Sequence, residues 1–479
     1  MNACEKQLWP IADRASLRGI RATVMGLGRE GIALTRFLAE SGAEVLVTDR
    51  QEPAALTGRL AALTGLPVRY ALGGHPSWAA DADVIFVSPG IPRDVPFLLD
   101  AVQRGVRLSS ETELFFHLCP APIIGITGSS GKTTTTTLVG NILRAAGQTT
   151  WVGGNIGQPL LNDVTRIGAD DKVVLELSSF QLEHLRISPR VAAVLNITPN
   201  HLDRHPSMEA YIEAKRQIFI HQKPSDAAVF GYDDPVARQL LAEYQANGAG
   251  LSAFFSGSTP ARRGAWLQGE ELVLRSAQDE GVICRRGEIL LRGWHNLLNV
   301  LAACAIAGEA GASISAMREA VTTFAGVEHR LELVREWRGV RFVNDSIATS
   351  PERAIAALRS YEEPIILLAG GRDKHLPWDE WADLVVKRVR HLILFGEAAP
   401  LIERVASAGL ERAAIAGAPI LLTADAVHHA GTLEQAVVLA ARLAQPGDVV
   451  LLSPGGTSFD AFVDFAQRGE RFRELVNAL

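Results

Sequence analysis

The residues best suited to chemistry are Gly125-Ile-Thr-Gly-Ser-Ser-Gly-Lys-Thr133. Pro122 to Ile126 reads as a short buried strand, and Thr134 to Ala146 as a helix closing at Gly147. A strand, a Gly/Ser-rich turn and a helix opening on Gly-Lys-Thr form a phosphate cradle. The helix start offers backbone N–H groups and the positive end of its dipole. Lys132 would reach the terminal phosphates, and the Thr133 hydroxyl would hold Mg²⁺. The spacing departs from the common loop, with Ile126 where a glycine is expected and glycines at 125 and 128.

Further polar residues follow apolar runs downstream. Lys172 to Leu177 reads as a strand carrying Glu176, and a carboxylate there is costly unless paired or metal-bound. Its bland alternative is a glutamate turned outward at a strand end. Gly153-Gly-Asn-Ile-Gly157 is a turn able to bring Asn155 to a ligand. Val191 to Thr198 reads as a buried strand leading into Pro199-Asn-His-Leu-Asp-Arg-His205, where His201 is a metal ligand, a base or a solvated loop residue. With Thr133 and Glu176 on neighbouring strand ends, a Mg²⁺-nucleotide site is the better account, although histidine is unusual for so hard an ion. Lys215 shares a helix face with Ile212 and Phe219, and spacing alone leaves it a solvated lysine. Asn296 and Asn299, at i and i+3 near a helix start, are adenine ligands or caps, and spacing favours caps.

The elements that must position these groups point to an α/β protein. Length gives a prior of about three domains at ~150 residues each. Ala22 to Met25 is a strand, Gly31 to Ser41 a helix and Glu44 to Thr48 a second strand ending at Asp49. Gly26, Gly28 and Gly31 fit the Rossmann turn, which takes NAD, takes UDP or serves only as a packing turn. Val84 to Val87 is a strand ending in Ser88-Pro-Gly-Ile91, an ordinary turn on its own terms. Residues 225–292 read weakly. After Gly326 come a hairpin, Leu331–Trp337 with Val340–Val343, and strands at Pro364–Leu368, His391–Phe395, Pro419–Leu422 and Val449–Leu452. Strands alternating with helices give a second parallel sheet there. The chain is 47% hydrophobic and 21% charged, with net charge −6, so it can bury several cores and carries no basic stripe for nucleic acid. Four scattered cysteines, no visible signal peptide and no long apolar run make a cytoplasmic protein the expectation.

In their order, TGSSGKTTT, GGNIGQP, LELSSFQLE, NHLDRH, the AKRQIF lysine, HNLLN, EHR, VNDS and LLSPGGTSFDAF resemble the Mur ligase family over essentially the whole chain. The resemblance implies a Rossmann-like UDP-binding domain (1–119), a central P-loop-type ATP-binding parallel sheet (120–326) and a Rossmann-like amino-acid-binding domain (327–479). It implies that Gly128, Ser129, Ser130, Gly131, Lys132, Thr133 and Thr134 bind ATP with Mg²⁺. Asn296 and Asn299 would hold adenine, and Arg330 and Asp345 phosphate and ribose. Thr48, Asp49 and Arg50 would lie near uridine, with Gly90, Asn155, Ser178 and His201 on the UDP-sugar peptide. Thr133, Glu176, His201 and a carbamylated Lys215 would serve metal. Thr349, Lys374, Ser458, Phe459 and Phe465 would line a glutamate pocket. The implied activity joins D-glutamate to UDP-N-acetylmuramoyl-L-alanine through an acyl phosphate, in peptidoglycan precursor synthesis, by a monomer.

Two positions depart from the family's pattern. Ile347 stands where it often has lysine, so a cation is absent there or comes from another group such as Arg372. Asn200 stands where an acidic residue is common. A branch adding L-glutamate also lacks that lysine, so the L-isomer is the alternative, while Lys374 favours the D-isomer. Three other readings compete. A folylpolyglutamate-synthase-like ligase lacks the front domain of residues 22–118. A nicotinamide oxidoreductase leaves the Gly-Lys-Thr loop unexplained, and a non-catalytic nucleotide switch leaves its partner surface unmarked.

Overall fold

The computed structural model describes residues 13–155, 159–183, 185–199, 204–374 and 376–479. They build three sheets in two compact units. The first unit comprises Met1–Ile289 and His295–Thr323, the second Leu290–Trp294 and Phe324–Leu479.

The first sheet of the first unit has five parallel strands. In spatial order they are Val68–Leu72, Glu44–Asp49, Arg21–Met25, Val84–Val87 and Arg107–Ser109. The outermost two, which patterning did not reveal, are short or half-exposed and carry little apolar signal. The glycine turn after Arg21–Met25 packs against its helix Arg29–Glu40. Gly26 holds φ +96°, and a Cβ on Gly31 would collide with the Gly26 carbonyl.

The second sheet orders nine strands as Glu280–Arg285, Glu271–Arg275, Gly264–Gln268, Leu251–Ser256, Ala227–Gly231, Val191–Val194, Ile123–Thr127, Lys172–Glu176 and Thr150–Gly154. The strands from Thr150–Gly154 across to Gly264–Gln268 run parallel, and the last two join antiparallel. The weakly patterned stretch 225–292 therefore supplies five strands. Ile123–Thr127 is buried throughout, as a strand covered on both faces should be. Its helix starts two residues earlier than the sequence suggests, at Lys132, and ends at Ala145. Thr133 to Thr137 are poor helix formers, so burial of Leu138, Val139, Ile142 and Leu143 must hold it.

The second unit carries a six-stranded sheet ordered Glu332–Trp337, Val340–Asn344, Val449–Gly455, Ile365–Gly370, Val389–Phe395 and Val427–Gly431. Its first pair is the expected antiparallel hairpin, and the rest is parallel. The strand expected at Pro419–Leu422 is instead a loop. The Leu421 and Leu422 amides donate to the Val386 carbonyl and the Leu422 side chain is fully buried, so its apolar run plugs a helix end. The edge strand is Val427–Gly431, whose two histidines hide it from apolar patterning.

Candidate active site

In the first unit, four adjacent parallel strands bring their C-terminal ends together. They are Val191–Val194, Ile123–Thr127, Lys172–Glu176 and Thr150–Gly154. Loops beyond such ends are where open α/β sheets place ligands. The phosphate loop is pinned from the Val191–Val194 side. The Ser130 amide donates to Asn196 Oδ1 at 2.9 Å, and the Ser129 amide to the Asn196 carbonyl at 2.9 Å. The Ser129 hydroxyl donates to the Thr198 carbonyl at 3.0 Å and lies 3.0 Å from the Tyr211 hydroxyl. Gly131, at φ +80°, is the N-cap of the helix and offers no side chain to its first amides. Free N–H groups at a helix start suit an anion. Lys132 Nζ folds back over the loop, donating to the Gly128 carbonyl at 2.9 Å. Thr134 is buried inside the helix.

Glu176 is 2% exposed, which excludes the outward-facing alternative. The Thr133 hydroxyl donates to its Oε2 at 2.8 Å, and Asn155 Nδ2 to its Oε1 at 3.0 Å. Lys215 is also no surface lysine, being 1% exposed. Its Nζ donates to the Gly128 carbonyl at 3.0 Å and lies 4.7 Å from the centre of the Tyr211 ring. Burial, and then the Lys132 charge, hold its pKa well below the ordinary lysine value, against the pull of Glu176. An amine so placed is easily neutral, and a neutral amine can add CO₂. Thr133 and Glu176 offer hard oxygen donors that fit Mg²⁺. Among the described residues no three His, Cys, Asp or Glu side chains group as a metal set. His201 and Asn200 lie outside the described residues.

Asn296 and Asn299 are the third and sixth residues of the helix Trp294–Glu309, within its first two turns. Both are buried, and Asn299 Nδ2 donates to Asn296 Oδ1 at 3.2 Å. A Cβ on Gly131 would collide with Asn299 Oδ1, so this asparagine pair sits against the phosphate loop.

The first sheet treats its candidates unequally. Thr48 is fully buried, its hydroxyl donating to the Gly74 carbonyl at 3.0 Å. Asp49 takes the Leu27 amide at 2.8 Å and the Gln51 amide at 2.9 Å, which spends its carboxylate on the glycine turn. Arg50 and Gly90 are exposed, and Arg204 donates to the Gly90 carbonyl at 2.6 Å. Ser178 caps the short helix Ser179–Leu182 through a reciprocal bond with Gln181. Gln181 Nε2 also donates to Glu30 Oε1 at 2.9 Å, tying that helix to Arg29–Glu40 of the first sheet.

In the second unit, Arg468 is fully buried and clamps two strand-end loops. It donates to Ser346 Oγ at 3.0 Å, to the Ser346 carbonyl at 2.9 Å, to Gly456 at 3.2 Å and to Thr457 at 3.1 Å. Asp345 accepts from Ser453 Oγ at 2.9 Å and from the Leu331 amide at 3.3 Å. Burial pushes its pKa up to about 7, against Ser453 and the charge of nearby Arg330. Lys374 Nζ donates to Thr349 Oγ1 at 3.4 Å. Ser458 is buried, Phe459 is 61% exposed, and the Phe465 ring stands edge-on to His329, 6.3 Å between centres. Arg372 is paired with Glu397 at the surface through two bonds at 2.8 and 2.9 Å.

Sequence reasoning missed Asn196, Tyr211 and Arg468. Asn196 follows the buried run Val191-Ala-Ala-Val-Leu195, and Tyr211 lies four residues before Lys215 on one helix face. Those were the available signals. Nothing local marks Arg468.

Three family models match the chain in order. They are an N-terminal domain described as Mur ligase, MurD-like (20–110), a Mur ligase middle domain (126–307) and a Mur ligase glutamate ligase domain (329–456). Among curated relatives, a protein of Symbiobacterium thermophilum named UDP-N-acetylmuramoylalanine–D-glutamate ligase is 46% identical, covering 96% of this chain and 98% of that protein. A protein of the same name from Acetivibrio thermocellus is 42% identical, covering 97% and 98%. Among solved structures, the MurF ligase of Thermotoga maritima in complex with ADP shares the fold at TM-score 0.55 and 18% identity, covering all of both chains. The UDP-N-acetylmuramate–alanine ligase of the same organism also scores 0.55 at 18%, covering 96% and 99%.

Proposed function

This chain belongs to the Mur ligase family, and we propose from that premise that it joins D-glutamate to UDP-N-acetylmuramoyl-L-alanine at the expense of ATP. The observation that carries the reading is the cluster in which the phosphate loop, Thr133, Glu176 and the buried Lys215 meet at one sheet edge. The names of the full-length relatives support glutamate and the UDP-linked alanine as its substrates.

The chemistry follows from the groups. A carboxylate is a poor acyl donor because oxide is a poor leaving group. Transfer of the ATP γ-phosphoryl group to the alanyl carboxylate oxygen gives an acyl phosphate and ADP. The free amine of glutamate attacks the acyl carbon. The resulting tetrahedral oxyanion collapses, the C–O bond to phosphate breaks and the nitrogen loses its proton, leaving an amide and inorganic phosphate. Lys132 and the amides following Gly131 hold the triphosphate and offset charge spread over the transferred group. Asn296 and Asn299 take adenine, and Arg330 and Asp345 complete the nucleotide's contacts. Mg²⁺, held by Thr133, Glu176, His201 and a carbamylated Lys215, would supply further charge neutralisation. Arg50, Gly90, Asn155 and His201 receive the UDP-linked substrate, while Thr48, Asp49 and Ser178 hold the walls of its site. Thr349, Lys374, Ser458, Phe459 and Phe465 receive glutamate. The setting is the cytoplasm, with the protein acting as a monomer. No helix among the described residues is long and apolar enough to cross a membrane.

The test is product formation by mass spectrometry with ATP, Mg²⁺ and UDP-N-acetylmuramoyl-L-alanine, giving D-glutamate to one sample and L-glutamate to another. Product with D-glutamate alone is expected. Product only with L-glutamate would keep the mechanism and reverse the stereochemistry. Product with neither would sink the reading.

A further inference from the structure

Glutamate presents two carboxylates, and a site that binds it needs cations not already neutralised by the protein's own acids. Five basic side chains border the loop after Val340–Asn344 and its neighbours in the second unit, and three are committed. Arg372 is held by Glu397. Arg468 spends its donors on the Ser346 loop and the Gly456-Thr457 loop. Arg330 is given to the nucleotide in the reading above, and it shares the field of the Asp345 carboxylate with Arg353.

Arg353 and Lys374 remain, and neither pairs with a carboxylate among the described residues. Both are bonded to one short stretch of chain, Arg353 to its backbone and Lys374 to a side chain. Arg353 Nη1 donates to the Ile347 carbonyl at 3.2 Å, and Lys374 Nζ to Thr349 Oγ1 at 3.4 Å. The Thr349 amide itself donates to the Ile347 carbonyl at 2.8 Å, which closes the stretch into a tight turn beneath both cations. The arrangement works against the fold in two ways. Arg353 lies in the first turn of the helix Pro351–Leu358, where the helix dipole disfavours positive charge. It also repels Lys374, whose pKa is lowered by partial desolvation and then by the charges of Arg353 and Arg468. The acidic groups near the pair are engaged elsewhere. Asp345 faces Ser453 and the Leu331 amide, and Asp373 accepts from the Trp378 indole at 3.2 Å. Two like charges held to one short stretch by hydrogen bonds, neither in an ion pair among the described residues and with buried Asp345 reaching Arg353 only through its field, form a receptor for an anion.

We propose that Arg353 is a substrate-binding residue, holding one carboxylate of the incoming glutamate beside Lys374. The Ile347 carbonyl orients its guanidinium for that task. The inference rests on the ligase reading above and adds to it a contact that neither the glycine motifs nor the polar loops indicated. A guanidinium fork suits a carboxylate better than a lysine does, so Arg353→Lys is not a neutral change.

The experiment is steady-state kinetics of the full chain, varying D-glutamate and ATP in turn. Arg353→Ala is expected to raise KM for glutamate roughly 10- to 100-fold, the loss typical of one charged hydrogen bond. KM for ATP should stay within about twofold, a split that general damage to the fold does not produce. Arg353→Lys should recover part of the loss. A glutamate KM within twofold of the parent in Arg353→Ala would overturn the assignment while leaving the ligase reading intact. A parent chain that makes no product with glutamate would remove both.

Discussion

Gly131→Ala tests the seat of the phosphate loop. Two costs can be read from the structure. Gly131 holds φ +80°, and an L-residue forced there costs roughly 1–2 kcal/mol. The new methyl would also collide with Asn299 Oδ1. To make room, the Asn299 amide must leave its 3.2 Å bond with Asn296 inside the fold, which costs about 1–3 kcal/mol. The expected destabilisation is therefore ~2–5 kcal/mol. Because the chain has two compact units, hydrogen exchange in urea should be read on amides of the helix Lys132–Ala145, which report the first unit alone. The two costs separate in a double-mutant cycle. Asn299→Ala removes the obstacle, so Gly131→Ala made on that background should cost only the backbone part, a coupling of about 1–3 kcal/mol. Calorimetric titration with ADP should show weaker binding in the single variant. A Gly131→Ala cost below about 0.5 kcal/mol, or strict additivity with Asn299→Ala, would refute the reasoning.

Three other predictions concern the groups around the loop. Asn155→Ala should leave the fold intact yet raise the Mg²⁺ concentration for half-maximal activity roughly 10- to 100-fold, because Asn155 Nδ2 orients the Glu176 carboxylate; an unchanged Mg²⁺ titration would contradict that role. Lys215→Met should abolish activity and, in bicarbonate-free buffer at pH 7, make the protein more stable to urea. The folded pKa of Lys215 lies below the unfolded value near 10.4, so its burial cost is full below the folded pKa and fades as pH rises toward the unfolded one. The stability gained by Lys215→Met should shrink over that same rise, and a gain that grew with pH would reverse the sign and the argument. Lys215→Ala should regain some activity with short carboxylic acids, which full activity without them would rule out.

What was legible in the sequence was local. The strand, turn and helix around Gly125–Thr133 declare themselves within twenty-odd residues, and a glutamate inside Val-Val-Leu-Glu-Leu announces its cost at once. Fully buried strands such as Ile365–Gly370 read as unbroken apolar runs. What misled was an apolar run with no strand to make. Leu422 is buried as a plug rather than a strand, while the true edge strand, Val427–Gly431, is interrupted by His428 and His429. The asparagine pair was hard to read for another reason. Its spacing favoured a cap, and the close approach of Asn299 to the distant Gly131 is invisible to local spacing. Lys215 is the same case, since helical periodicity places it on a face but cannot say that Gly128 and Tyr211 cover that face. Arg353 was passed over because a lone arginine after Ser-Pro-Glu looks like ordinary surface until its hydrogen bond to Ile347 is seen.

The contact between Gly131 and Asn299 bears on synthesis of the chain. The loop and the asparagine that backs it lie 168 positions apart (299 − 131), with the five strands of 227–285 emerging between them. At ~5–20 residues per second, a ribosome takes roughly 8 to 34 s to cover that distance. Through that interval the nascent loop exists without its backing. The strands from Ala227–Gly231 onward can extend an already formed parallel core, since Ala227–Gly231 joins the sheet beside Val191–Val194. The loop is thus backed only late in translation of the first unit, after the strands that extend its sheet, and the helix Ile314–Thr323 of the same unit still has to follow.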